Sequence, residues 1–278
     1  MPELPEIETI KIGLRKVIFE KKILSAKVVR RDLRFPVPKD LEKLVKNSKI
    51  LKIKRRSKYI ILELTGSVSL IFHLGMSGKL IISIPKKYEE FILKKHDHLV
   101  FFFENQIQLT FNDARRFGFV DITKSKSDGY IRFAHIGPEP LHKNFNKDYL
   151  LRKIEYSERN IKNILMDQKI VAGLGNIYVT EALWKSKINP NRSGKSIKDI
   201  ECVNLINSIR EILKKAIKFG GTSLKDFRKV GGEIGYFQNK LNAYAKEKQK
   251  CSRGRCKGRI KKILISGRST FYCPMCQK

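Results

Sequence analysis

The residues that could do chemistry begin at the start of the chain, where Pro2 is followed by Glu3. Removal of the initiator methionine would leave the Pro2 nitrogen as a free secondary amine. Such an amine attacks an electrophilic sugar carbon and gives an iminium, which keeps its positive charge because it has no N–H proton to lose. Glu3 beside it can donate or accept a proton. A proline followed by an acidic residue is also typical of a helix start, so this second interpretation stays open.

A second group with chemical potential is the cysteines, four of which lie in the last 28 residues. They form two knuckles, Cys251-x4-Cys256 and Cys273-x2-Cys276, separated by 16 residues with the pattern of a β-hairpin. In a reducing compartment such clustering favours a metal over disulfides. Four thiolates bind one tetrahedral Zn²⁺, and a closed four-sulfur set is structural rather than catalytic. We therefore expect one structural zinc ion, with a metal-free tail as the alternative, and no chemistry at the isolated Cys202.

The charge of the chain indicates a polyanionic partner. Lys and Arg number 59 against 27 Asp and Glu, a formal net charge of +32. An AT-rich genome, which inflates lysine, would account for part of this excess but not for the whole of it. The sequence contains no apolar run of about 18 residues that could cross a membrane, and its acidic N-terminus lacks the apolar segment of a signal peptide. These features predict a cytoplasmic protein without a membrane partner.

The elements that must position these residues follow from hydrophobic periodicity. Apolar residues at helical spacing predict a helix from Pro5 to about Lys22, and residues 23–123 have the pattern of a two-layer β-sandwich. The predicted strands are Ile50–Ile53, Lys58–Leu64, Val68–Leu74, Lys79–Ser83, His98–Phe103, Gln106–Phe111 and Phe117–Ile122. Thr65–Ser67 and Glu104–Asn105 are predicted turns between them. Beyond Pro140 the period becomes helical, with a predicted loop from Thr222 to Gln249.

Five motifs occur in order along the chain and together resemble the bacterial formamidopyrimidine-DNA glycosylases. They are Met1–Thr9, His73–Gly78, Asp113–Gly118, Gly173–Tyr178 and the four-cysteine tail. The resemblance implies an α+β fold: an N-terminal helix plus a two-layer β-sandwich, then a helical domain with a helix-two-turn-helix motif and a C-terminal zinc-bearing β-hairpin. The implied ranges are residues 1–130 for the catalytic β-sandwich domain, 131–145 for a linker, 146–242 for the helical domain and 243–278 for the zinc finger.

The same resemblance implies a base-excision repair enzyme that acts on double-stranded DNA containing oxidised bases or abasic sites. Such an enzyme removes 8-oxoguanine and formamidopyrimidines and nicks the abasic site by β,δ-elimination through a Schiff base on the N-terminal proline. It would work as a monomer in the bacterial cytoplasm, with no redox or nucleotide cofactor. The catalytic residues carried over are Pro2, Glu3, Lys58 and Arg268, with Glu6 as support at the lesion site.

The resemblance also implies a set of DNA-binding residues. Met76, Arg115 and Phe117 would fill the hole left by the flipped nucleotide, since an enzyme that extrudes a base needs such a plug. The others are His73 and His96, expected to contact the DNA backbone, Asn176, expected to bind a phosphate, Lys162, expected to contact the lesion strand, and Arg159. Asn176 is in addition expected to cap the helix that follows Gly173–Gly175, and Arg159 stands in for a basic residue that the family often has at the position of Ser157.

Two rival functions remain at this stage. The related endonuclease eight type of glycosylase prefers oxidised pyrimidines, but Leu4 and the motifs His73–Gly78 and Arg115–Gly118 favour the purine-specific branch. A non-catalytic zinc-containing protein that only binds damaged DNA is the other rival. The intact Pro2 and Glu3 argue against such a loss of catalysis.

Overall fold

The structure is a computed structural model that describes residues 2–85, 92–124, 127–222 and 236–278. It divides into two compact units, residues 1–134 with 220–236, and residues 135–219 with 237–278. Residues 223–235, in the first half of the predicted loop from Thr222 to Gln249, lie outside the described residues. Within the described ranges, no helix has both the length and the apolarity needed to cross a membrane.

The first unit opens with helix α1, Leu4–Ile18, followed by strand β1, Ile23–Val28, and a short helix α2, Leu41–Val45. Helix α1 forms because its apolar residues recur on one buried face, while Glu6 in its first turn and Lys16 in its last turn suit the helix dipole. The predicted end at Lys22 is wrong. The helix stops at Ile18 because Phe19 is extended and Glu20 takes a left-handed backbone, with φ of 62°.

Strand β1 and seven further strands of the first unit form two antiparallel four-stranded sheets. Their bounds are β2 Ile50–Arg56, β3 Tyr59–Leu64, β4 Ser69–His73, β5 Lys79–Ser83, β6 Asp97–Phe103, β7 Gln108–Asn112 and β8 Phe119–Thr123. One sheet has the order β1-β6-β7-β5 and the other β2-β3-β4-β8. Their inner faces share one core with α1, in which the Phe72 ring of one sheet lies 5.8 Å from the Phe101 ring of the other. The predicted sandwich and its seven strands are confirmed.

The second unit is helical and ends in a β-hairpin. Its elements are α3 Lys147–Ile154, α4 Ile161–Met166, α5 Asn176–Lys185, α6 Asp199–Lys218, β9 Lys261–Ile265 and β10 Arg268–Tyr272. Helix α5 packs against α4, α6 and β10, so its sides are almost wholly buried. Gly173 has φ of 80°, a left-handed backbone that glycine adopts readily, in the turn between α4 and α5. The predicted α+β class, with a helical region and a C-terminal hairpin, is confirmed.

Candidate active site

Pro2 and Glu3 are both buried at the start of α1. Glu3 occupies the N-cap position of the helix, and Pro5 lies in the first turn, where the N–H that proline lacks has no intrahelical acceptor. The Glu3 backbone N–H donates to Glu6 Oε2 at 2.9 Å. Glu6 therefore fixes the backbone next to Pro2, as the acidic residue of a capping box does.

The Glu6 carboxylate also binds a segment from much later in the sequence of the same unit. Its Oε1 accepts hydrogen bonds from the Thr222 backbone N–H at 2.8 Å and from the Thr222 hydroxyl at 3.0 Å. Gly221 has φ of +76°, and a Cβ there would lie 2.8 Å from Glu6 Oε1. Glycine thus permits the Glu6 side chain to lie against the backbone of residue 221. The start of α1 and residues 221–222 are held together by one buried carboxylate.

Lys58 lies in the turn between β2 and β3, and it is only 8 % exposed. Ser57 before it has a left-handed backbone, with φ of 51°. Arg55 donates to the Ser57 carbonyl oxygen at 2.9 Å and to Glu8 Oε2 on α1 at 2.8 Å. Burial opposes ionisation of Glu8, but hydrogen bonds from Lys11 and Arg55 outweigh it and lower the pKa of Glu8. One guanidinium therefore fixes the turn that carries Lys58 to helix α1.

These contacts define a candidate catalytic group within the first unit. A buried secondary amine at Pro2, a buried carboxyl at Glu3 and a buried cation at Lys58 lie on elements that pack together, since α1 contacts both β2 and β3. Such a group can supply a nucleophile, a proton donor and a positive charge for a phosphate. The fourth predicted catalytic residue, Arg268, belongs to the second unit.

His73 is held as a neutral hydrogen-bond donor. Its Nδ1 accepts from the Gly75 backbone N–H at 3.2 Å, so the ring proton is on Nε2. The ring stacks on Phe119 at 5.4 Å between centroids. Burial, followed by the charges of Arg34 and Lys58, lowers the pKa of His73 from 6.5 to about 4. A neutral N–H donor of this kind can bind a phosphate oxygen over the whole physiological pH range.

The three predicted plug residues form an exposed cluster. Met76 is 38 % exposed and Phe117 is 44 % exposed, although both are large apolar side chains. The Arg115 guanidinium carbon lies 4.7 Å from the centre of the Phe117 ring. A cavity of about 620 Å³ opens beside them, lined by Arg34, His73, Gly75, Met76, Arg116 and Phe117. Clustered apolar side chains next to cations are typical of a surface that binds an amphipathic partner such as unstacked bases.

Asp113, which was not predicted as a functional residue, stabilises the loop that carries Arg115 and Phe117. It is fully buried, and its carboxylate accepts from the Ser77 hydroxyl and from the Gly118 backbone N–H, the latter at 2.8 Å. The Arg115 backbone N–H donates to Ser77 Oγ at 3.1 Å. The loop that carries the exposed Arg115 and Phe117 is therefore fixed at both ends by one carboxylate. Its place in the Asp113–Gly118 motif was the only available signal.

Of the other residues predicted to bind DNA, His96 lies in the first unit and Arg159 in the second. His96 is exposed with φ of 73°, and its carbonyl oxygen accepts from the Asp113 N–H at 3.1 Å. His98, which was not predicted, is buried and its Nε2 lies 2.8 Å from the Asp113 carbonyl oxygen. In the second unit, Arg159 is exposed and forms an ion pair with Asp167 at 3.1 Å.

Three side chains of the second unit hold the β9–β10 turn that presents Arg268. Lys162 is fully buried and its Nζ donates to Thr270 Oγ1. The sequence predicted a contact of Lys162 with DNA and did not predict this contact with the hairpin. Asn163 Nδ2 donates to Ser266 Oγ at 2.7 Å. Asn176 Nδ2 donates to the carbonyl oxygen of residue 269 at 2.9 Å. Arg268, the first residue of β10 after the turn, is itself exposed, so these hydrogen bonds leave its guanidinium accessible.

The predicted helix cap at Asn176 is wrong. Gly175 is the N-cap of α5, and Asn176 is already the first residue of the helix. Its side chain turns instead to the hairpin, where the amide nitrogen has a partner. Among the described residues, the buried Oδ1 of Asn176 has no hydrogen-bond partner. The backbone N–H groups at the N-terminus of α5 suit an anion.

The four cysteines form a site that fits one zinc ion. Their sulfur atoms all lie within 4.8 Å of one another, with 3.8 Å between Cys251 and Cys276 and 3.5 Å between Cys256 and Cys273. Zn–S bonds of about 2.3 Å in a tetrahedron place the sulfurs about 3.8 Å apart. A Cβ at Gly258 would lie 2.6 Å from Cys273 Sγ, so only glycine fits beside the cluster. The four-cysteine site is confirmed, including Cys251 in the wider first knuckle.

Comparison with known proteins gives matches along the whole chain. Three family models match in succession: the formamidopyrimidine-DNA glycosylase N-terminal domain over residues 1–120, the formamidopyrimidine-DNA glycosylase H2TH domain over residues 136–228, and the zinc finger found in FPG and IleRS over residues 248–278. Curated relatives named formamidopyrimidine-DNA glycosylase include those of Dinoroseobacter shibae, 41 % identical, and Roseobacter denitrificans, 42 % identical, each over 100 % of both chains.

Solved structures of similar fold contain damaged DNA. Wild-type Lactococcus lactis Fpg in complex with DNA containing N7-benzyl-Fapy-dG is 38 % identical, with a TM-score of 0.88 over 100 % of both chains. The complex between Lactococcus lactis Fpg and DNA containing an abasic site is also 38 % identical, with a TM-score of 0.88 over 99 % of both chains.

Proposed function

Because the chain belongs to the formamidopyrimidine-DNA glycosylase family, we propose that it removes 8-oxoguanine and formamidopyrimidines from duplex DNA and then cleaves the abasic site. The family predicted from the five motifs is confirmed by the family matches and by relatives that align over its full length. The protein is a base-excision repair enzyme, a DNA glycosylase with abasic-site lyase activity, and carries a zinc-finger domain with four clustered cysteines.

In the proposed first step the Pro2 nitrogen attacks C1′ of the damaged nucleotide. The N–C1′ bond forms with the nitrogen lone pair as the glycosidic bond breaks, the base leaves with the electron pair of the glycosidic bond, and the proton that the amine nitrogen loses passes to the base. Glu3 then protonates the ring oxygen O4′, and the C1′–O4′ bond breaks as the nitrogen lone pair forms the C1′=N double bond of an iminium. The burial of Pro2 and Glu3 keeps water away from these reacting groups.

The iminium is the electron sink for two eliminations. Loss of a C2′ proton expels the 3′ phosphate, and loss of a C4′ proton then expels the 5′ phosphate, which leaves a one-nucleotide gap. Lys58 is suited to bind a phosphate next to the reacting sugar, and Arg268 is suited to grip the backbone because its turn is braced from three positions. Zinc, when bound to the four cysteines, supplies folding energy to the finger and no chemistry.

The observation that carries this proposal is the fixed N-terminus. Glu6 binds the Glu3 backbone N–H through one carboxylate oxygen and Thr222 through the other. A nucleophile that is the chain terminus would normally be mobile, and effective catalysis requires it to be held within reach of the sugar carbon. This double contact orders the backbone directly after Pro2, which a protein that only bound DNA would not need.

The plug and the positive charge support duplex DNA as the substrate. The exposed Met76 and Phe117 with Arg115 are suited to replace the extruded nucleotide, and a net charge of +32 suits a phosphate backbone. We also propose that the enzyme acts as a monomer beside the chromosome in the bacterial cytoplasm, since DNA is the substrate. A single 1:1 complex with a lesion duplex in sedimentation analysis would support the monomer, and a 2:1 complex would contradict it.

Borohydride trapping tests the nucleophile. We expect sodium borohydride to give a covalent complex with an 8-oxoguanine duplex, and peptide mapping to place the adduct on the N-terminal peptide that begins at Pro2. An N-terminal tag converts the amine into an amide, so it should abolish trapping and nicking, whereas the same tag at the C-terminus should abolish neither. Duplex affinity should change little in either protein, because phosphate contacts are spread over many residues.

Two further results separate the roles of Pro2 and Glu3. Glu3→Gln should stop removal of 8-oxoguanine, yet leave the Pro2 amine able to react with a preformed abasic site. An adduct that maps to Lys58, or full activity of the N-terminally tagged protein, would show that Pro2 is not the nucleophile. Faster excision of an oxidised pyrimidine than of 8-oxoguanine in the same assay would assign the enzyme to the pyrimidine-specific type.

A further inference from the structure

Two side chains without a role in the steps above pack against the four cysteines. Trp184 comes from α5, and Arg253 is the second of the four residues inside the first knuckle. Arg253 Nη2 donates to the Trp184 carbonyl oxygen at 2.7 Å, and its guanidinium carbon lies 4.8 Å from the indole ring. Trp184 also packs against the small apolar core of the finger, which includes Cys251 and Cys273. The two side chains are therefore fixed relative to each other and to the cysteines.

Both side chains carry a buried N–H group that has no hydrogen-bond partner among the described residues. These are Trp184 Nε1 and Arg253 Nε. A buried donor without an acceptor lowers stability, and native structures rarely keep one. The acceptors available next to them are the cysteine sulfur atoms, since Trp184 packs against the apolar core that includes Cys251 and Cys273, and the Arg253 guanidinium lies over its indole ring. Both side chains thus lie beside the metal ligands.

Four thiolates around one Zn²⁺ carry an excess of negative charge, and buried negative charge requires compensation. We propose that Trp184 and Arg253 form the outer coordination sphere of the zinc, each donating an N–H to a thiolate, so that zinc affinity depends on helix α5. Outer-sphere donors orient the ligands and lower the energy of the charged complex. The four-residue length of the first knuckle lets Arg253 fold back over the indole while Arg255 in the same knuckle stays exposed.

The test measures zinc affinity of the full-length protein by competition with a chromogenic chelator. Arg253→Met keeps the aliphatic stem but removes the donors, and Arg255→Met is the matched control in the same knuckle. Because the chain contains one tryptophan, replacing the indole N–H by the sulfur of benzothienylalanine changes position 184 alone and preserves its shape. We expect the apparent dissociation constant for zinc to rise by about 10–100-fold for Arg253→Met and for the tryptophan analogue, and to stay unchanged for Arg255→Met.

A spectroscopic measurement separates an outer-sphere role from packing. In the cobalt-substituted protein, loss of an N–H to sulfur hydrogen bond should move the sulfur-to-cobalt charge-transfer band to lower energy, which a packing defect alone would not do. Arg253→Lys, which keeps a charged donor, should recover part of the affinity and remains available if Arg253→Met does not fold. Wild-type zinc affinity and an unshifted cobalt band in the folded variants would overturn the proposal.

Discussion

Substitution of Gly221 by alanine should damage the active site far more than the same change at Gly66. Both glycines have left-handed backbones, with φ of +76° and +74°, so alanine raises the energy of either by about 1–2 kcal/mol. Gly66 lies in the turn between β3 and β4, and a Cβ there would have no heavy atom within 4 Å. Gly66→Ala therefore measures the backbone effect alone.

At Gly221 the added methyl group would also displace Glu6. The Cβ would lie 2.8 Å from Oε1, 3.0 Å from Cγ and 3.2 Å from Cδ of Glu6. Movement of this carboxylate breaks its contacts with Thr222, and a hydrogen bond to a charged group is worth about 1.5–3 kcal/mol. The total destabilisation of Gly221→Ala should be about 2.5–5 kcal/mol, against about 1–2 kcal/mol for Gly66→Ala.

Urea denaturation followed by circular dichroism gives the two stabilities, and single-turnover excision of 8-oxoguanine gives the effect on catalysis. Glu6 also accepts the hydrogen bond of the Glu3 backbone N–H. Because the substitution displaces Glu6, the Gly221→Ala variant should excise 8-oxoguanine at least about tenfold more slowly than the wild type, which corresponds to about 1.4 kcal/mol in the transition state. Gly66→Ala should excise within about twofold of the wild-type rate. Equal destabilisation of both variants, with wild-type excision by Gly221→Ala, would refute the role given to Glu6.

Three further predictions concern other parts of the protein. His73 should titrate near pH 4 in NMR spectra. Because its pKa in the folded protein lies below 6.5, its contribution to stability is complete above pH 6.5 and falls by about 3 kcal/mol at most as the pH drops towards 4. A measured pKa above 6 would contradict the burial of His73. Cys273→Ser should lose both zinc in elemental analysis and duplex binding, and metal-free protein with normal DNA affinity would be the opposite result. Arg115→Ala should lose about 1–3 kcal/mol of transition-state stabilisation in excision of 8-oxoguanine paired with cytosine, and less in cleavage of a preformed abasic site. Equal losses on the two substrates would exclude a role of Arg115 opposite the lesion.

Much of the fold could be predicted because its elements have strong local patterns. The strands of the sandwich alternate or bury whole apolar runs, and Gly66 and Asn105 adopt the left-handed backbone that their turn signals predict. Strand β1 and helix α2 were not predicted individually. In β1 only the first residue, Ile23, is fully buried, and α2 has 5 residues, so neither has enough periodicity to be recognised.

The candidate site was predictable only as far as the motifs reach. Motifs identify residue types and order, but hydrogen-bond partners depend on which segments meet after folding. Lys162 is buried because it contacts Thr270 of the hairpin, 108 positions later in the sequence, and no local sequence pattern predicts such a contact. The same holds for Asn176, which binds the hairpin rather than capping α5, and for Asp113, whose partners come from three separate segments.

The buried Asp113 separates the shape of the plug loop from the side chains that the loop displays. Asp113, Ser77 and Gly118 set the backbone, while Arg115 and Phe117 project outward and contribute little to that framework. Exposed positions on a rigid support tolerate exchange better than positions that hold the support together. The loop is therefore a natural starting point for engineering, because new side chains at positions 115 and 117 could change which opposite base is accepted, or carry a fluorescent reporter of base extrusion, without redesign of the scaffold.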